Sequence, residues 1–403
     1  MDRAGLARKL GARHGAGESR PSVVEERDPA AFLRRFAAAA AGTGPVFLAD
    51  PAWGPAERAA LHGAMGEAGE EDPERGWLMI PSGGTSGRIK FARHDHETIA
   101  AAVQGFCSGF GIGRVNCVGI LPLHHVSGLM AWMRAALTGG EYLPWDWKRL
   151  EAGDRPGVSA GPGWFLSLVP TQLQRLLGDP EAAAWLRRFH AVFVGGGPLW
   201  PDLAEAAAKA AIPLSPGYGM TETAAMVAAL APADFLAGRR SSGAPLPHAR
   251  ITLTHDGRVR INSLALFRGY FPDWSESDEF ETEDRGALDE RGHLTILGRR
   301  DSLIVSGGEK VDPAEVEAAL RASGQFEDVA VIGVPDPQWG EAVVACHPAG
   351  PRPPDPARVA AALAALAPFK RPRRIVALAD WPRNAQGKIS RAELARRIGL
   401  VSG

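Results

Sequence analysis

Cysteine is scarce in this chain of 403 residues, which has only Cys107, Cys117 and Cys346. Their number is odd and no two form a C-x-x-C pair. A disulfide framework and a thiolate zinc site are therefore not expected, and the three read as reduced thiols of the cytoplasm. Long apolar runs are missing as well: no stretch reaches the roughly 18 uncharged apolar residues that a transmembrane helix needs. The N-terminus carries Arg3, Arg8, Lys9, Arg13 and Arg20 with no apolar core behind them, which excludes a secretory signal. Asp2, Glu18, Glu25 and Glu26 count against a transit peptide. Charge of one sign is also absent. The formal net charge is −1, which gives no electrostatic case for nucleic acid or an anionic membrane surface as partner.

What is present is an ordered alternation. Residues 1–75 are rich in Ala, Gly and Glu, and the pattern predicts one helix there, over 29–41. From about residue 77, short apolar runs alternate with amphipathic stretches. Strands are predicted at 115–122, 164–169, 190–194 and 212–215, with helices at 128–137, 171–177 and 201–211 between them. Such alternation implies an α/β layer with a mainly parallel sheet. From residue 249 the pattern changes to short hairpin strands at 250–254, 259–262 and 293–297, with Asp256-Gly257 and Arg291-Gly292 as turns, which suggests a β-subdomain. Beyond Arg300, Asp312 is a good N-cap followed by Pro313. Strands at 329–334, 342–346 and 375–378 and helices at 357–366 and 390–398 make a small α+β unit. The expected organisation is a large N-terminal α/β domain over 1–300 and a small α+β C-terminal domain over 301–403, a usual size for an independent unit.

Several segments carry chemistry. Ser82-Gly83-Gly84-Thr85-Ser86-Gly87-Arg88-Ile89-Lys90 is rich in glycine and hydroxyls. Its backbone can approach an oxyanion closely, and several N–H groups can converge on it. Ser82, Thr85 and Ser86 add hydroxyl donors, and Lys90 adds positive charge. Taken alone, a flexible surface turn explains it about equally well, and it lacks the Gly-Lys-Ser/Thr of a Walker A loop. Leu121-Pro122-Leu123-His124-His125-Val126-Ser127-Gly128 places two histidines just after a strand, where open α/β sheets bind ligands. One satisfied and one exposed histidine is the blander explanation. Val194-Gly195-Gly196-Gly197 permits close contact with a flat ring, or is only a structural turn.

Ser215-Pro216-Gly217-Tyr218-Gly219-Met220-Thr221-Glu222-Thr223 is the strongest signal of the larger half. Tyr218, flanked by glycines, can stack on a purine. Thr221 offers a hydroxyl to phosphate, and Glu222 a hard carboxylate oxygen for Mg²⁺. A capped strand-to-helix turn competes weakly with that reading. Asp284 can accept hydrogen bonds from a ribose diol, with Arg299 reinforcing the contact. An exposed acidic turn over 276–285 is the alternative. Near the C-terminus, Lys388 lies in Pro382-Arg383-Asn384-Ala385-Gln386-Gly387-Lys388-Ile389, a basic residue on a loop.

In this order the motifs resemble the adenylate-forming superfamily of acyl-CoA ligases, luciferases and peptide-synthetase adenylation domains. The resemblance runs from about residue 80 to the end. It implies an enzyme that joins an acid to AMP from ATP and then passes the acyl group to the thiol of CoA. The implied cofactor is Mg²⁺, and the implied partners are ATP, CoA and a small-molecule acid. Nucleic acid and a membrane span are not expected, and a homo-oligomer is compatible.

Site residues follow from the same resemblance. Ser82, Gly84, Thr85, Ser86, Gly87 and Lys90 would bind phosphate. Gly195, Gly196, Gly197, Tyr218, Gly219 and Met220 would bind the adenosine, with Asp284 and Arg299 on the ribose. Thr221, Glu222, His125 and Lys388 would be catalytic, with Glu222 holding the metal. His125, Ser127, Gly128, Thr171 and Gly195 would shape the acyl pocket. Asp301 would be the hinge of a mobile C-terminal domain, and Gly307 and Gly308 would serve the thioester half-reaction. Ile89 departs from the pattern, which usually has proline there.

The acid is less sharply marked. No acidic residue lies between 121 and 140, which disfavours an α-ammonium substrate. The stretch ahead of Ser82 is short for the superfamily. Residues 89–94, 121–140 and 167–173 look like o-succinylbenzoate–CoA ligases of menaquinone and phylloquinone biosynthesis. That acid is aromatic with a second carboxylate, so it requires an apolar pocket and one cationic or hydroxyl anchor. Gly128 and Gly195–Gly197 would give room, and Ser127, Arg134 and Thr171 are candidate anchors. Arg134 reads slightly better as a solvated helix residue. Alternatives are another aryl- or fatty-acyl-CoA ligase, an adenylation domain that loads a carrier protein, and a non-catalytic nucleotide-binding regulator. The joint presence of Lys388, Glu222 and Asp284 argues against the last.

Overall fold

The computed structural model describes residues 1–12, 20–68, 74–83, 89–159, 163–197, 199–383 and 389–401. The predicted Gly84, Thr85, Ser86, Gly87 and Lys388 lie outside them. The chain forms two compact units. One comprises Met1–Thr282 with Ala287–Ile296, and the other Glu283–Gly286 with Leu297–Gly403.

The larger unit is α/β, as expected. Its main sheet has the order Ala244–Pro245, Ala225–Ala229, Leu214–Met220, Ala191–Val194, Trp164–Leu168, Asn116–Gly119, Tyr142–Pro144. The five strands from Leu214–Met220 to Tyr142–Pro144 run parallel, and the first two pair antiparallel. The helices between them bury their apolar faces. In Val126–Thr138, for example, Leu129, Met130, Met133 and Ala135 are fully enclosed.

A second sheet, of Ser22–Val24, Val46–Leu48, Leu78–Gly83 and Ile89–His94, shares one core with helices His96–Phe110 and Val126–Thr138 and packs a smaller one around Phe47, Met79 and Phe91. Here the sequence expectation for residues 1–75 needs correction. Besides Pro29–Ala40, the segment holds helices Arg3–Lys9 and Pro55–Glu67 and the first two of those strands. The strands are three residues each, too short for an alternation to show in the sequence.

Local signals explain where helices start and stop. His96–Phe110 begins with Asp95, which accepts from the N–H of Thr98, while the Thr98 hydroxyl accepts from the N–H of Asp95. It ends at Gly111, whose φ of 62° is the left-handed cap. Val126–Thr138 closes the same way at Gly139.

A third sheet has the order Ala249–Leu253, Arg258–Ser263, Glu279–Leu288, Leu294–Arg299. The acidic stretch 276–285 is not an exposed turn. Most of it lies in the strand Glu279–Leu288, where Thr282, Asp284 and Gly286 face inward.

The smaller unit is α+β. Strands Glu309–Val311, Ile304–Ser306, Gly340–Pro348 and Ala330–Asp336 pair antiparallel, and Arg374–Leu378 adds in parallel to Gly340–Pro348. Helices Pro313–Ala322 and Pro356–Leu363 cover one apolar cluster, and Arg391–Val401 lies on the other. Asp312 caps Pro313–Ala322 through the N–H of Ala314, as its position predicts.

Candidate active site

Strands Leu78–Gly83 and Ile89–His94 pair antiparallel with Ser82 opposite Lys90, so the two flanks of the glycine-rich loop stand side by side. The Ser82 hydroxyl donates to Glu222 Oε1 at 2.7 Å. The Tyr270 hydroxyl donates to the same oxygen at 2.6 Å. Lys90 Nζ lies 4.8 Å above the Tyr270 ring. Glu222 is buried, at 6 % exposure. Two segments far apart in sequence thus bring hydroxyl oxygens to one carboxylate presented by a third, and oxygen is the ligand type that Mg²⁺ prefers.

The turn that presents Glu222 is strained and over-determined. Thr221–Thr223 is one turn of 3₁₀ helix after the strand Leu214–Met220. Ala224 and Ala225 follow with φ of 48° and 82°, a conformation that costs an alanine about 1–2 kcal/mol. The Thr223 hydroxyl accepts from the N–H of Met220 at 3.0 Å and lies 2.6 Å from the Ala225 carbonyl. His94 Nε2 reaches the Thr221 carbonyl at 2.8 Å, and its Nδ1 meets the Thr98 hydroxyl at 3.0 Å. Burial pushes the His94 pKa down and keeps the ring neutral.

Tyr270 is held with equal care. The N–H of Phe267 donates to the Glu222 carbonyl at 2.8 Å, and that of Arg268 to the Arg93 carbonyl at 2.8 Å. The Arg268 side chain grips buried Asp95 at 2.9 Å and Glu97 at 2.8 Å. Burial would raise the Asp95 pKa, but Arg268 and the Thr98 and Gly76 N–H groups outweigh it and hold the carboxyl low. Neither Tyr270 nor His94 was singled out by sequence reasoning. Tyr270 had one available signal: the chain has only three tyrosines, and this one sits beside Gly269.

The glycines around Tyr218 act differently from the sequence expectation. A Cβ at Gly219 would lie 1.8 Å from the Ala225 carbonyl oxygen, and one at Gly217 would lie 2.9 Å from that of Ala228. Both are required by the antiparallel partner strand rather than by a clear ring face. Tyr218 itself is buried with Val227, Ile251 and Val259, and its hydroxyl reaches Thr282 Oγ1 at 3.4 Å.

After the neighbouring parallel strand Ala191–Val194, Gly195 and Gly197 are exposed, and Gly196 takes φ 78°. A Cβ at Gly195 would meet nothing within 4 Å, so open space lies there. Gly128 provides no such room. Its Cβ would lie 2.2 Å from the Pro122 carbonyl oxygen, so glycine lets the helix start pack on the loop. Ser127 is exposed and Thr171 half-buried. Arg134 corrects the solvated reading: it is 4 % exposed, with its guanidinium 4.2 Å above the Phe106 ring. Burial pushes its pKa down to about 10. Its Nε has no hydrogen-bond partner among the described residues.

In the smaller unit, Arg299 Nη1 donates to Asp284 Oδ1 at 3.3 Å, and Asp284 is buried. Asp301 has its backbone in the 3₁₀ turn Arg300–Ser302. Gly307 and Gly308 form the two-residue turn between Ile304–Ser306 and Glu309–Val311, with φ of 61° and 85°. Positive φ at both positions makes glycine the natural choice. At the base of the 384–388 segment, Arg383 and Ile389 form a bridge. Buried Asp328 accepts from Trp381 Nε1 at 2.7 Å and pairs with Arg383.

Residues 18–271 match the family model of AMP-binding enzymes, and residues 315–388 match the C-terminal domain of AMP-binding enzymes. The chain belongs to the AMP-binding enzyme family, as the ordered motifs led us to expect. Within it, the chain is similar to the 2-succinylbenzoate–CoA ligase of Geobacillus kaustophilus. The two are 33 % identical over 353 residues, covering 81 % of this chain and 70 % of the relative. The enzyme of that name from Enterococcus faecalis is 31 % identical over 330 residues, covering 78 % and 68 %. The fold matches the o-succinylbenzoate CoA synthetase of Bacillus subtilis in complex with its acyl-adenylate intermediate. That match has a TM-score of 0.78 at 23 % identity and covers 97 % of this chain and 91 % of the other. A second structure of the Bacillus subtilis enzyme, with ATP and a magnesium ion, also has a TM-score of 0.78, at 23 % identity, with 96 % and 92 % covered.

Proposed function

We propose that this chain is an ATP-dependent acid–CoA ligase that works through an acyl-adenylate, and that its acid is o-succinylbenzoate. The observation that carries the reaction is the pair of hydroxyls, from Ser82 and Tyr270, on buried Glu222, with Lys90 over the Tyr270 ring, in a chain of the AMP-binding family. The acid is supported by the similarity to ligases named for 2-succinylbenzoate and by the buried guanidinium of Arg134. That cation suits a second carboxylate better than exposed Ser127 does. Menaquinone biosynthesis is then the pathway, and the cytoplasm, where ATP and CoA are available, its place.

The reaction has two halves. A carboxylate oxygen of the acid attacks the α-phosphorus of ATP, and the bond to pyrophosphate breaks. The CoA thiolate then attacks the acyl carbonyl, and AMP leaves. Transfer at phosphorus depends on positioning and charge neutralisation more than on covalent help. Glu222 and Ser82 supply oxygen donors suited to Mg²⁺, which when bound would neutralise phosphate charge. Thr221, Lys90 and residues 84–87 would hold the phosphates, and Lys388 would assist adenylate formation. Tyr218, Gly219, Met220 and Gly195–Gly197 would hold the adenosine, and Asp284 with Arg299 the ribose. His125 and Thr171 would border the acyl group. Asp301 would be the hinge, and Gly307 and Gly308 would serve the thioester step.

The test is CoA-thioester formation, followed by mass spectrometry with ATP, Mg²⁺, CoA and o-succinylbenzoate, benzoate, 4-coumarate, octanoate or palmitate. The expected result is product with o-succinylbenzoate alone, lost in Lys388→Ala. Arg134→Leu should raise KM for that acid while leaving KM for ATP unchanged. Thioester with the other acids but not this one would overturn the substrate. No thioester with any acid would overturn the ligase.

A further inference from the structure

A second cluster of ligating side chains lies in the larger unit, built from the ends of two strands. Asp50 follows Val46–Leu48, and His124 and His125 follow Asn116–Gly119 and open the helix Val126–Thr138. One ligand atom from each, a carboxylate oxygen and two ring nitrogens, lies within 4.8 Å of the others. Asp50 and His124 are each only 7 % exposed, and His125 is half-buried.

His124 Nε2 faces Asp50 Oδ2 across 3.5 Å. That is too long for a well-formed N–H···O bond, and Nε2 is buried with no hydrogen-bond partner among the described residues. The separation of this one pair, with the third ligand atom within 4.8 Å of both, also suits an ion. A tetrahedral zinc with bonds of about 2.0–2.1 Å holds its donors roughly 3.4 Å apart. The rings of His124 and His125 have centroids 4.4 Å apart and are tilted by 57°, so the third donor approaches from a different direction.

We propose that Asp50, His124 and His125 form a binding site for a borderline divalent cation, with zinc as the best fit. Two imidazoles and one carboxylate are a donor set of zinc and of transition-metal centres, whereas Mg²⁺ takes oxygen ligands. The donor set therefore differs from the oxygen ligands gathered at Glu222, and His125, which would border the acyl group, places the cation beside that pocket. Three protein donors leave a fourth position open, and half-buried His125 is the side from which it is reached. Sequence reasoning met both histidines and missed the site because Asp50 comes from a strand that was not predicted.

The full chain, stripped with a chelator, should bind one equivalent of Zn²⁺ by calorimetry. Co²⁺ should give visible ligand-field bands without the near-ultraviolet thiolate band that a cysteine ligand would add. In Asp50→Asn and His124→Phe, each checked for an unchanged melting transition, zinc affinity should fall by more than about tenfold. If one variant fails to fold, the other decides. Absence of zinc binding in the wild type, or equal binding in a folded variant, overturns the proposal. Binding is read without acid, ATP or CoA, so failure here leaves the ligase reading standing, and the reverse holds as well.

Discussion

At the scale of single residues, Glu222 accepts from both Ser82 and Tyr270 on one oxygen. Replacing it by Gln keeps a carbonyl oxygen for both hydroxyls and removes only the charge. Glu222→Gln should therefore melt near the wild-type temperature while losing at least about 10²-fold in adenylate formation, the scale of one preorganised electrostatic group. Tyr270→Phe removes one donor to a buried carboxylate, an effect of about 1–3 kcal/mol, and should slow the same step roughly tenfold. ATP–pyrophosphate exchange with o-succinylbenzoate reads both. A Gln variant that exchanges at the wild-type rate in saturating Mg²⁺ would remove Glu222 from the reaction. The glycines of the same segment show that a residue type can be right for a different reason. Gly217 and Gly219 are there for the strand beside them, which the sequence between 215 and 223 does not mention.

At the scale of elements, what was legible had a period or a cap. Pro29–Ala40, Val126–Thr138 and Pro170–Leu177 were readable from apolar spacing, and Pro313–Ala322 from Asp312 and Pro313. The three-residue strands Ser22–Val24 and Val46–Leu48 carry no period, and so Asp50 went unplaced. Glu279–Leu288 alternates in burial but is so rich in acid that an exposed turn stood as the alternative to a ribose-binding Asp284. Tyr270 depends on a loop fixed by tertiary contacts rather than by any local pattern. Its segment is pinned by Arg268 on Asp95, whose side chain is 1 % exposed. Breaking one side of a buried pair typically destabilises by about 3–5 kcal/mol. Arg268→Leu should thus shift urea unfolding by about 3 kcal/mol and slow pyrophosphate exchange. Arg240→Ala, which removes the pair with exposed Glu205, should shift unfolding by less than about 1 kcal/mol. Equal effects of the two changes would mean that Asp95 finds another partner.

At the scale of the whole molecule, one buried cation of the larger unit stands out: Arg134 lies over the Phe106 ring, and its Nε has no hydrogen-bond partner among the described residues. His248 sits close by, its ring filling the space left by Gly105, where a Cβ would lie 1.8 Å from Nδ1. Burial first, and then the Arg134 cation, push its pKa down to about 4. An unfolded histidine titrates near 6.5. Between about pH 6.5 and 4 the unfolded chain therefore takes up a proton that the folded chain refuses, and stability falls as pH falls through that window. His94, also held low by burial, acts with the same sign and also begins to act near 6.5. The lowered carboxyl of Asp95 acts later, since its contribution is lost only as pH drops below its ordinary value of 3.8. The urea midpoint should hence decline steadily from neutral pH to about 4, well before the carboxylates are protonated. His248→Gln, which cannot take up a proton, should flatten part of that decline and leave the shares of His94 and of His190, which burial also lowers. A midpoint that stays level down to pH 4.5 would mean that all three rings accept a proton without leaving their places, and that the space around Arg134 admits water.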